Sequence, residues 1–340
     1  MVANLRAFAI ATSLTLISGC GSESGGSAPD STGELTLGLT DAPLESATRV
    51  VVAFTGVQLK PAGDAPPLDP IVFEETSCND FDASTGTCSI DLLELTGATR
   101  KVVFNGNIPA GNYVWVRLMV DADPNEMDSY IELDDGGMCP IWVPSGDETG
   151  LKIVSGITVT ANGVSDYTLD FDVRSSITVP PGLQFLSAEA CNQNYILKPA
   201  IRIVDTTQTG TIAGSVSETF MDDSESCVRD ESSSLYETAA VYVFENFDGT
   251  AVTDDIDTSD NPNPITTASV VYDASTGTYE YEAAFLLAPE DYLVALTCTA
   301  GVDMPDSDEF DPTRGTSQDF EFVAEQVVTT VVDQTVVASF

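Results

Sequence analysis

Histidine is absent from this 340-residue chain, and basic side chains are scarce, with 12 lysines and arginines against 54 aspartates and glutamates. Without histidine the chain cannot carry Ser-His-Asp or Cys-His catalysis, and it lacks the most common zinc ligand. The net charge of −42 excludes nucleic acid as a partner, because lysine and arginine supply most of the binding to phosphate. The same charge repels an anionic membrane surface.

Long hydrophobic runs are also lacking, and the apolar run at residues 7–17 follows a single basic residue, Arg6. This run is too short for a membrane-spanning helix of about 20 residues and is typical of a signal peptide. It ends in Ile17-Ser18-Gly19-Cys20, which resembles the lipobox of bacterial lipoproteins. The resemblance implies that residues 1–19 are a signal peptide and that Cys20 is lipidated. The alternative is an ordinary secretory signal with a chance cysteine.

Residues 20–33 are rich in Gly and Ser, which predicts a flexible tether between the lipid and the first domain. Position 21 is Gly and not Asp. The Gram-negative sorting rule that this segment resembles retains lipoproteins with Asp there at the inner membrane. We therefore expect the chain to reach the outer membrane with the lipid on Cys20 as its anchor, on a side of that membrane that the sequence leaves open.

Six cysteines remain besides Cys20, an even number that predicts disulfides in an exported protein. Their placement along the chain favours three pairs: Cys78 with Cys88, Cys139 with Cys191, and Cys227 with Cys298. The alternative is free buried thiols. Metal binding by these cysteines is disfavoured, because the chain has no CxxC motif and no histidine to complete a site.

Hydrophobic residues make up 43% of the chain, enough to form a core. From residue 34 onward, apolar and polar residues alternate and turn signals are frequent, which predicts β-strands throughout. The expected fold class is all-β, with two sandwich domains of immunoglobulin-like or prealbumin-like type. We place them at residues 34–205 and 210–340, joined by a short polar linker at 206–209.

One motif occurs twice, at residues 108–116 and 287–295, where a tight turn leads a Tyr into an alternating strand. These hairpins, Tyr113 in the first and Tyr292 in the second, resemble those of transthyretin-like and carboxypeptidase-regulatory-like sandwiches. The resemblance is extended in the second half by Asp273-Ala274-Ser275-Thr276-Gly277. It implies a regulatory-like β-sandwich there, although Glu290-Asp291 stands where such hairpins usually have a glycine turn.

The first half has several motifs in the order found in a bacterial lipoprotein family known only as domain of unknown function 4382. They include Leu39-Thr40-Asp41-Ala42-Pro43, Phe54-Thr55-Gly56-Val57, Leu169-Asp170-Phe171-Asp172-Val173-Arg174 and Tyr195-Ile196-Leu197-Lys198-Pro199. The resemblance covers about residues 34–205. It implies an extracytoplasmic β-domain, often lipid-anchored, with no established activity.

Three acidic clusters are candidate calcium sites, because hard cations prefer several carboxylate oxygens held in a turn. No cofactor is required by the sequence, and calcium is the one candidate. The clusters comprise Asp121, Asp123, Asn125 and Asp128, with Glu132 nearby; Asp254, Asp255, Asp257 and Asp260; and Asp303, Asp306, Asp308 and Asp311, with Glu309. The alternatives are solvated acidic loops and adaptation to high salt, since only Arg229 and Arg314 offset 27 acids after Thr206.

Two strand faces are candidate binding surfaces. Tyr113, Trp115 and Arg117 alternate along one predicted strand, and Asp170, Asp172 and Arg174 alternate along another. An aromatic ring beside paired charges suits a sugar or peptide ligand. The alternative is a salt-bridged sheet exterior.

These patterns together predict a lipid-anchored outer-membrane protein that serves as a non-catalytic binding or structural module. Its expected partners are the membrane through Cys20, and an envelope protein, a peptide or a glycan. A calcium-stabilised adhesin-type module is the first alternative. A hydrolase that uses a pair of carboxylates is the second, although no pair stands out.

Overall fold

In the computed structural model, the chain from residue 31 onward forms several β-sheets. The described residues are 31–42, 47–75, 78, 81–133, 136–144, 150–178, 191, 195–198, 200–231, 233–246, 248–251, 253, 256, 263–303 and 320–340. The segment Ser31–Phe340 forms one compact unit. No helix within the described ranges has the length and apolar character needed to cross a membrane.

The described residues before 206 form fifteen strands in two sheets. The strands are β1 (Thr32–Ala42), β2 (Ala47–Pro61), β3 (Ile71–Val72), β4 (Phe81–Asp82), β5 (Thr87–Asp91), β6 (Lys101–Pro109), β7 (Gly111–Asp121), β8 (Tyr130–Leu133), β9 (Met138–Trp142), β10 (Leu151–Ile153), β11 (Ile157–Val159), β12 (Val164–Asp172), β13 (Ile177–Thr178), β14 (Tyr195–Leu197) and β15 (Ile201–Asp205).

Sheet 1 has the order β15-β12-β1-β6, and β1 runs parallel to β12 but antiparallel to β6. Sheet 2 follows the path β10-β7-β2-β8-β9-β14-β13, with β3, β4, β5 and β11 paired along it. The alternating side chains of β1 show how the two sheets meet, since Leu35, Leu37 and Leu39 are fully buried in one core with Phe54 of β2 and Leu118 of β7. The two sheets therefore pack as a sandwich, as the alternation predicts.

The described residues after 208 form a second sandwich. Its strands are β16 (Thr209–Val216), β17 (Ala240–Glu245), β18 (Thr266–Ser269), β19 (Val271–Asp273), β20 (Thr278–Leu287), β21 (Asp291–Thr297), β22 (Phe322–Thr329) and β23 (Thr335–Val337). Sheet 3 has the order β19-β20-β16-β23 and sheet 4 the order β18-β17-β21-β22. Their facing sides share a core that includes Ile212, Tyr281, Val243 and Val294.

The central strands of sheet 4, β17 and β21, are buried on both faces. Their outer side carries Tyr242, Phe244 and Leu293, which form a separate cluster with Ile256 and Ala300 from neighbouring loops. The near-continuous apolar run of β17 reflects this double burial, since a strand covered on both faces needs no polar alternation.

Helices are short within the described residues: α1 (Val173–Ser176), α2 (Glu218–Asp223) and 3₁₀ turns at Leu92–Glu94, Thr206–Gln208 and Ala300–Val302. Asp172 caps α1, because its carboxylate accepts a hydrogen bond from the Ser175 backbone N at 3.0 Å. The predicted linker is thus an ordered 3₁₀ turn that leads directly from β15 to β16. The domain limits 34–205 and 210–340 stay a prediction.

The two repeated motifs have similar turns, but neither is a hairpin as predicted, because in each the chain crosses from one sheet of its sandwich to the other. β6 lies in sheet 1 and β7 in sheet 2, and β20 lies in sheet 3 and β21 in sheet 4. The hydroxyl of Tyr113 donates to the Pro109 carbonyl at 2.6 Å, and that of Tyr292 donates to the Leu287 carbonyl at 3.1 Å. In both, the tyrosine reaches back across the turn and ties its strand to the preceding one. That the second sandwich is of the regulatory-like type stays a prediction.

All three predicted disulfides are confirmed: Cys78–Cys88, Cys139–Cys191 and Cys227–Cys298. Each lies within one sandwich. The third closes a loop of 71 residues that spans most of sheets 3 and 4.

Candidate functional site

The structure does not support a calcium site in the acidic loop between β7 and β8. Asp123, Asn125 and Asp128 are exposed, and Asp121 ends β7. Among the described residues, which include this whole loop and Glu132, no three acidic or cysteine side chains are grouped to hold a metal. A buried serine fixes the loop instead: the Ser129 hydroxyl donates to the Asp121 carbonyl at 2.7 Å and accepts from the Ala53 backbone N at 3.0 Å.

Of the other two clusters, only Asp303 lies within the described residues. It is 3% exposed, and its carboxylate accepts hydrogen bonds from the Tyr242 hydroxyl at 2.6 Å and from the Ile256 backbone N at 3.1 Å. Asp303 therefore bonds to both Tyr242 and Ile256 of the cluster on the outer face of sheet 4, and its prediction as a calcium ligand is not supported. Outside the described residues lie Asp254, Asp255, Asp257, Asp260, Asp306, Asp308, Glu309 and Asp311, and also Cys20, the predicted site of lipidation.

The predicted face of Asp170, Asp172 and Arg174 does not exist, because the strand ends at Asp172 and Arg174 lies in α1. All three are buried. Asp170 forms an ion pair with Arg202 of β15. Burial raises the pKa of the Asp172 carboxyl, although the hydrogen bonds from Ser175 oppose this shift.

The first sandwich holds the second through two arginines. The Arg174 Nη1 donates to the Ala300 carbonyl at 2.9 Å, and its guanidinium carbon lies 5.7 Å from the centroid of the Tyr242 ring. The Arg202 Nη1 donates to the Phe285 carbonyl at 3.0 Å. Charge-assisted bonds of this kind are stronger than neutral ones, and here they fix one sandwich against the other.

The predicted face of Tyr113, Trp115 and Arg117 is divided by a bulge. The pairing of β7 with β2 shifts register between Tyr113 and Trp115, and Tyr113 turns into the core. Trp115 stays on the outer side, 8% exposed, under the Arg117 guanidinium at 4.8 Å and the Lys152 ammonium at 5.1 Å. The ring is covered by these cations, so it cannot stack on a sugar as the sequence predicted.

A large cleft lies between the two sandwiches. It has a volume of about 820 Å³, within the range of ligand-binding cavities, which often form at domain interfaces. The outer face of sheet 3 is its floor, and the segment from Leu93 to Gly97 of the first sandwich is its wall. Glu282 joins the two, since its Oε2 accepts from the Ala98 backbone N at 3.0 Å.

Sequence reasoning missed this cleft, although the small side chains on one face of β16 indicate where its floor lies. Thr211, Ala213 and Ser215 alternate along that strand and are all small, which leaves the outer face of its sheet flat. The inward-facing Gly214 lets the chain at Ala338 pack directly against β16, because a Cβ at position 214 would lie 1.6 Å from the Ala338 carbonyl oxygen. The sequence shows that the outward side chains of β16 are small. It does not show the wall that covers them, because that segment lies more than 100 residues earlier in the chain.

Comparison with known proteins confirms the family of the first half. Residues 32–199 match the family model described as "Domain of unknown function (DUF4382)". No curated protein matches the chain in sequence.

The chain also has low structural similarity, by TM-score, to solved pilin and adhesin structures. The minor pilin GBS52 of Streptococcus agalactiae is 12% identical with a TM-score of 0.18, over 90% of this chain and 94% of that one. A putative adhesin from Bacteroides ovatus is 9% identical with a TM-score of 0.19, over 83% of each chain. The major pilin of Streptococcus pyogenes is 9% identical with a TM-score of 0.16, over 90% of this chain and 97% of that one. Scores this low do not establish a shared fold.

Proposed function

We propose that the chain is a lipid-anchored, non-catalytic binding module of the bacterial outer membrane. The observation that carries this proposal is the cleft between two sandwiches that arginine contacts hold in a fixed arrangement. A binding surface that is built before the ligand arrives loses less entropy on binding than a mobile one.

The anchor follows from Ile17-Ser18-Gly19-Cys20 and the Gly- and Ser-rich residues after it. Three disulfides suit an oxidising compartment such as the periplasm or the cell surface. The buried charges of the first sandwich support a structural use: Asp170, Asp172 and Arg202 bind neighbouring groups of the fold. A lipid tether, a stapled fold and a preformed cleft are the parts that a binding module needs.

The anchor is tested by fractionating Gram-negative cells that express the full chain. Wild-type protein is expected in the outer-membrane fraction, labelled by a palmitate analogue, and Cys20→Ala is expected to be unlabelled and released from membranes. Gly21→Asp is the matched control, because it keeps the lipid and is expected to move the protein to the inner membrane. Membrane retention of an unlabelled Cys20→Ala variant would contradict the proposal.

A further inference from the structure

We propose that the cleft between the sandwiches binds an extended segment of another polypeptide that carries basic side chains among apolar ones. This inference rests on the proposed binding function and names the chemistry of the partner. The cleft's floor, wall and charge each contribute to it.

The floor crosses sheet 3 between two exposed valines, with Glu280 and Glu282 of β20 beside the small side chains of β16. Ala213 and Ser215 of β16 lie at its centre, with Val271 of β19 on one side and Val337 of β23 on the other. Val271 is 61% exposed and Val337 76% exposed. Both valines border the cleft, and the small side chains of β16 leave room in it for a partner's larger ones.

The wall is fixed in place by the acidic strand β20. Gly97 has φ +61°, and a Cβ there would lie 2.6 Å from the Glu282 Oε2. The glycine lets the turn approach that carboxylate closely enough for the Ala98 backbone N to bond to it. The cleft is therefore open and preformed, and its partner need not separate the sandwiches to enter.

The charge of the cleft selects the partner. The charged side chains that line it are Glu280 and Glu282. Glu280 accepts hydrogen bonds at Oε1 from the hydroxyls of Thr278 and Thr276, at 2.7 and 3.2 Å. Its Oε2 accepts none from the described residues, which leaves this oxygen for a ligand.

Among the described residues of the surrounding sandwich, no unpaired positive charge balances these groups. The sandwich has 27 acidic residues and two arginines. Arg229 is already bound to Glu218 and Asp222 at 2.7 and 2.8 Å. Opposite charge attracts and orients a partner, and like charge excludes the wrong one, so a lysine- or arginine-bearing segment is complementary and an acidic segment is not.

The test measures binding of a labelled peptide of alternating lysine and valine to the full chain, by fluorescence anisotropy in about 0.5 M NaCl. At this salt the Debye length is only about 4 Å, which suppresses attraction by the overall charge. Saturable binding is expected, and the same peptide with glutamate in place of lysine is not expected to bind.

Three variants separate the cleft from bulk charge. Glu280→Lys is expected to weaken binding about tenfold or more. Ser215→Trp fills the floor without changing charge and is expected to weaken it similarly, with Ala213→Phe as the second such variant should the first unfold. Glu237→Lys makes the same charge change at an exposed residue outside the cleft lining, and is expected to bind like wild type.

Two results would overturn the inference. One is the absence of peptide binding by wild-type chain. The other is equal weakening by Glu280→Lys and Glu237→Lys with no effect of either floor variant, which would leave bulk charge as the cause.

A photo-crosslinker placed at position 337 in cells distinguishes failure of the basic-segment inference from failure of the proposed binding function. A discrete crosslinked partner without peptide binding would mean that the cleft binds a segment of another chemistry. Absence of both would mean that the cleft is not a binding site.

Discussion

Arg174 of the first sandwich lies over the ring of Tyr242 of the second, with 5.7 Å between the guanidinium carbon and the ring centroid. The same tyrosine donates its hydroxyl to Asp303 at 2.6 Å. One aromatic side chain thus connects the arginine at the junction to the carboxylate that bonds to Ile256 on the outer face of sheet 4. Loss of Arg174 should therefore also destabilise the contacts that Tyr242 and Asp303 make beyond the junction.

We predict that Arg174→Met destabilises the whole unit. It removes the bond to the Ala300 carbonyl and the contact with the Tyr242 ring, both buried, which together are worth about 2–4 kcal/mol. Thermal unfolding should show a lower Tm, and hydrogen exchange should speed up around residue 300 and in β17. Lys101→Met is the control for loss of a positive charge, since the Lys101 side chain makes no hydrogen bond or ion pair with the described residues. Equal effects of the two variants would contradict a structural role for Arg174.

The three disulfides should stabilise the fold unequally. The Cys227–Cys298 bond closes a loop of 71 residues and the Cys78–Cys88 bond a loop of 10. Chain entropy assigns about 4 kcal/mol to the longer loop and about 3 kcal/mol to the shorter one. Urea unfolding of the two double-alanine variants measures both. A greater loss from the Cys78/Cys88 variant would show that packing and not chain entropy decides the order.

Alkaline pH should weaken the second sandwich. Burial raises the pKa of Tyr292 to about 12 and also raises the pKa of Tyr281. Because the folded-state pKa lies above the unfolded value of about 10, folding favours the protonated phenols. Their contribution is complete below about pH 10 and is lost as pH rises through about 12. Unfolding free energies across this range should fall more steeply for wild type than for Tyr292→Phe. Parallel curves would contradict this assignment.

Salt should stabilise the chain more generally than calcium does. Screening of the 27 acids in the second sandwich relieves their mutual repulsion, so we expect Tm to rise as NaCl increases from about 0.1 to 1 M. The loop after β7 should add no calcium response, because its exposed carboxylates are not grouped. Melts with calcium or magnesium at fixed ionic strength should therefore shift equally in wild type and in Asp123→Ala/Asp128→Ala. A calcium shift lost in the double variant would restore the loop as a site.

The sequence predicted those features that depend on local pattern. Alternation identified β1, where Leu35, Leu37 and Leu39 all enter the core. The order of the cysteines along the chain was enough to pair them.

Sequence-based prediction failed where a single residue interrupts the two-residue alternation of a strand. The Asp172 cap ends a strand two residues before Arg174, and a bulge turns Tyr113 away from Trp115. Alternation also does not reveal that residues 151–159 form two separate strands, β10 and β11, or that β14 and β15 are separate strands. β14 and β15 pair in different sheets. A change of sheet depends on partners far along the chain, which a local pattern does not contain.

The placement of the disulfides sets how the molecule responds to pulling. Each covalent crosslink lies within one sandwich, whereas Arg174 and Arg202 join the sandwiches by hydrogen bonds alone. A force between the N-terminal end and a partner held by the second sandwich would load those hydrogen bonds first. The segment between Cys227 and Cys298 could not extend, because its ends are bonded. Under tension the junction would act as a reversible breakpoint, while the disulfides would limit how far the chain between each bonded pair of cysteines extends.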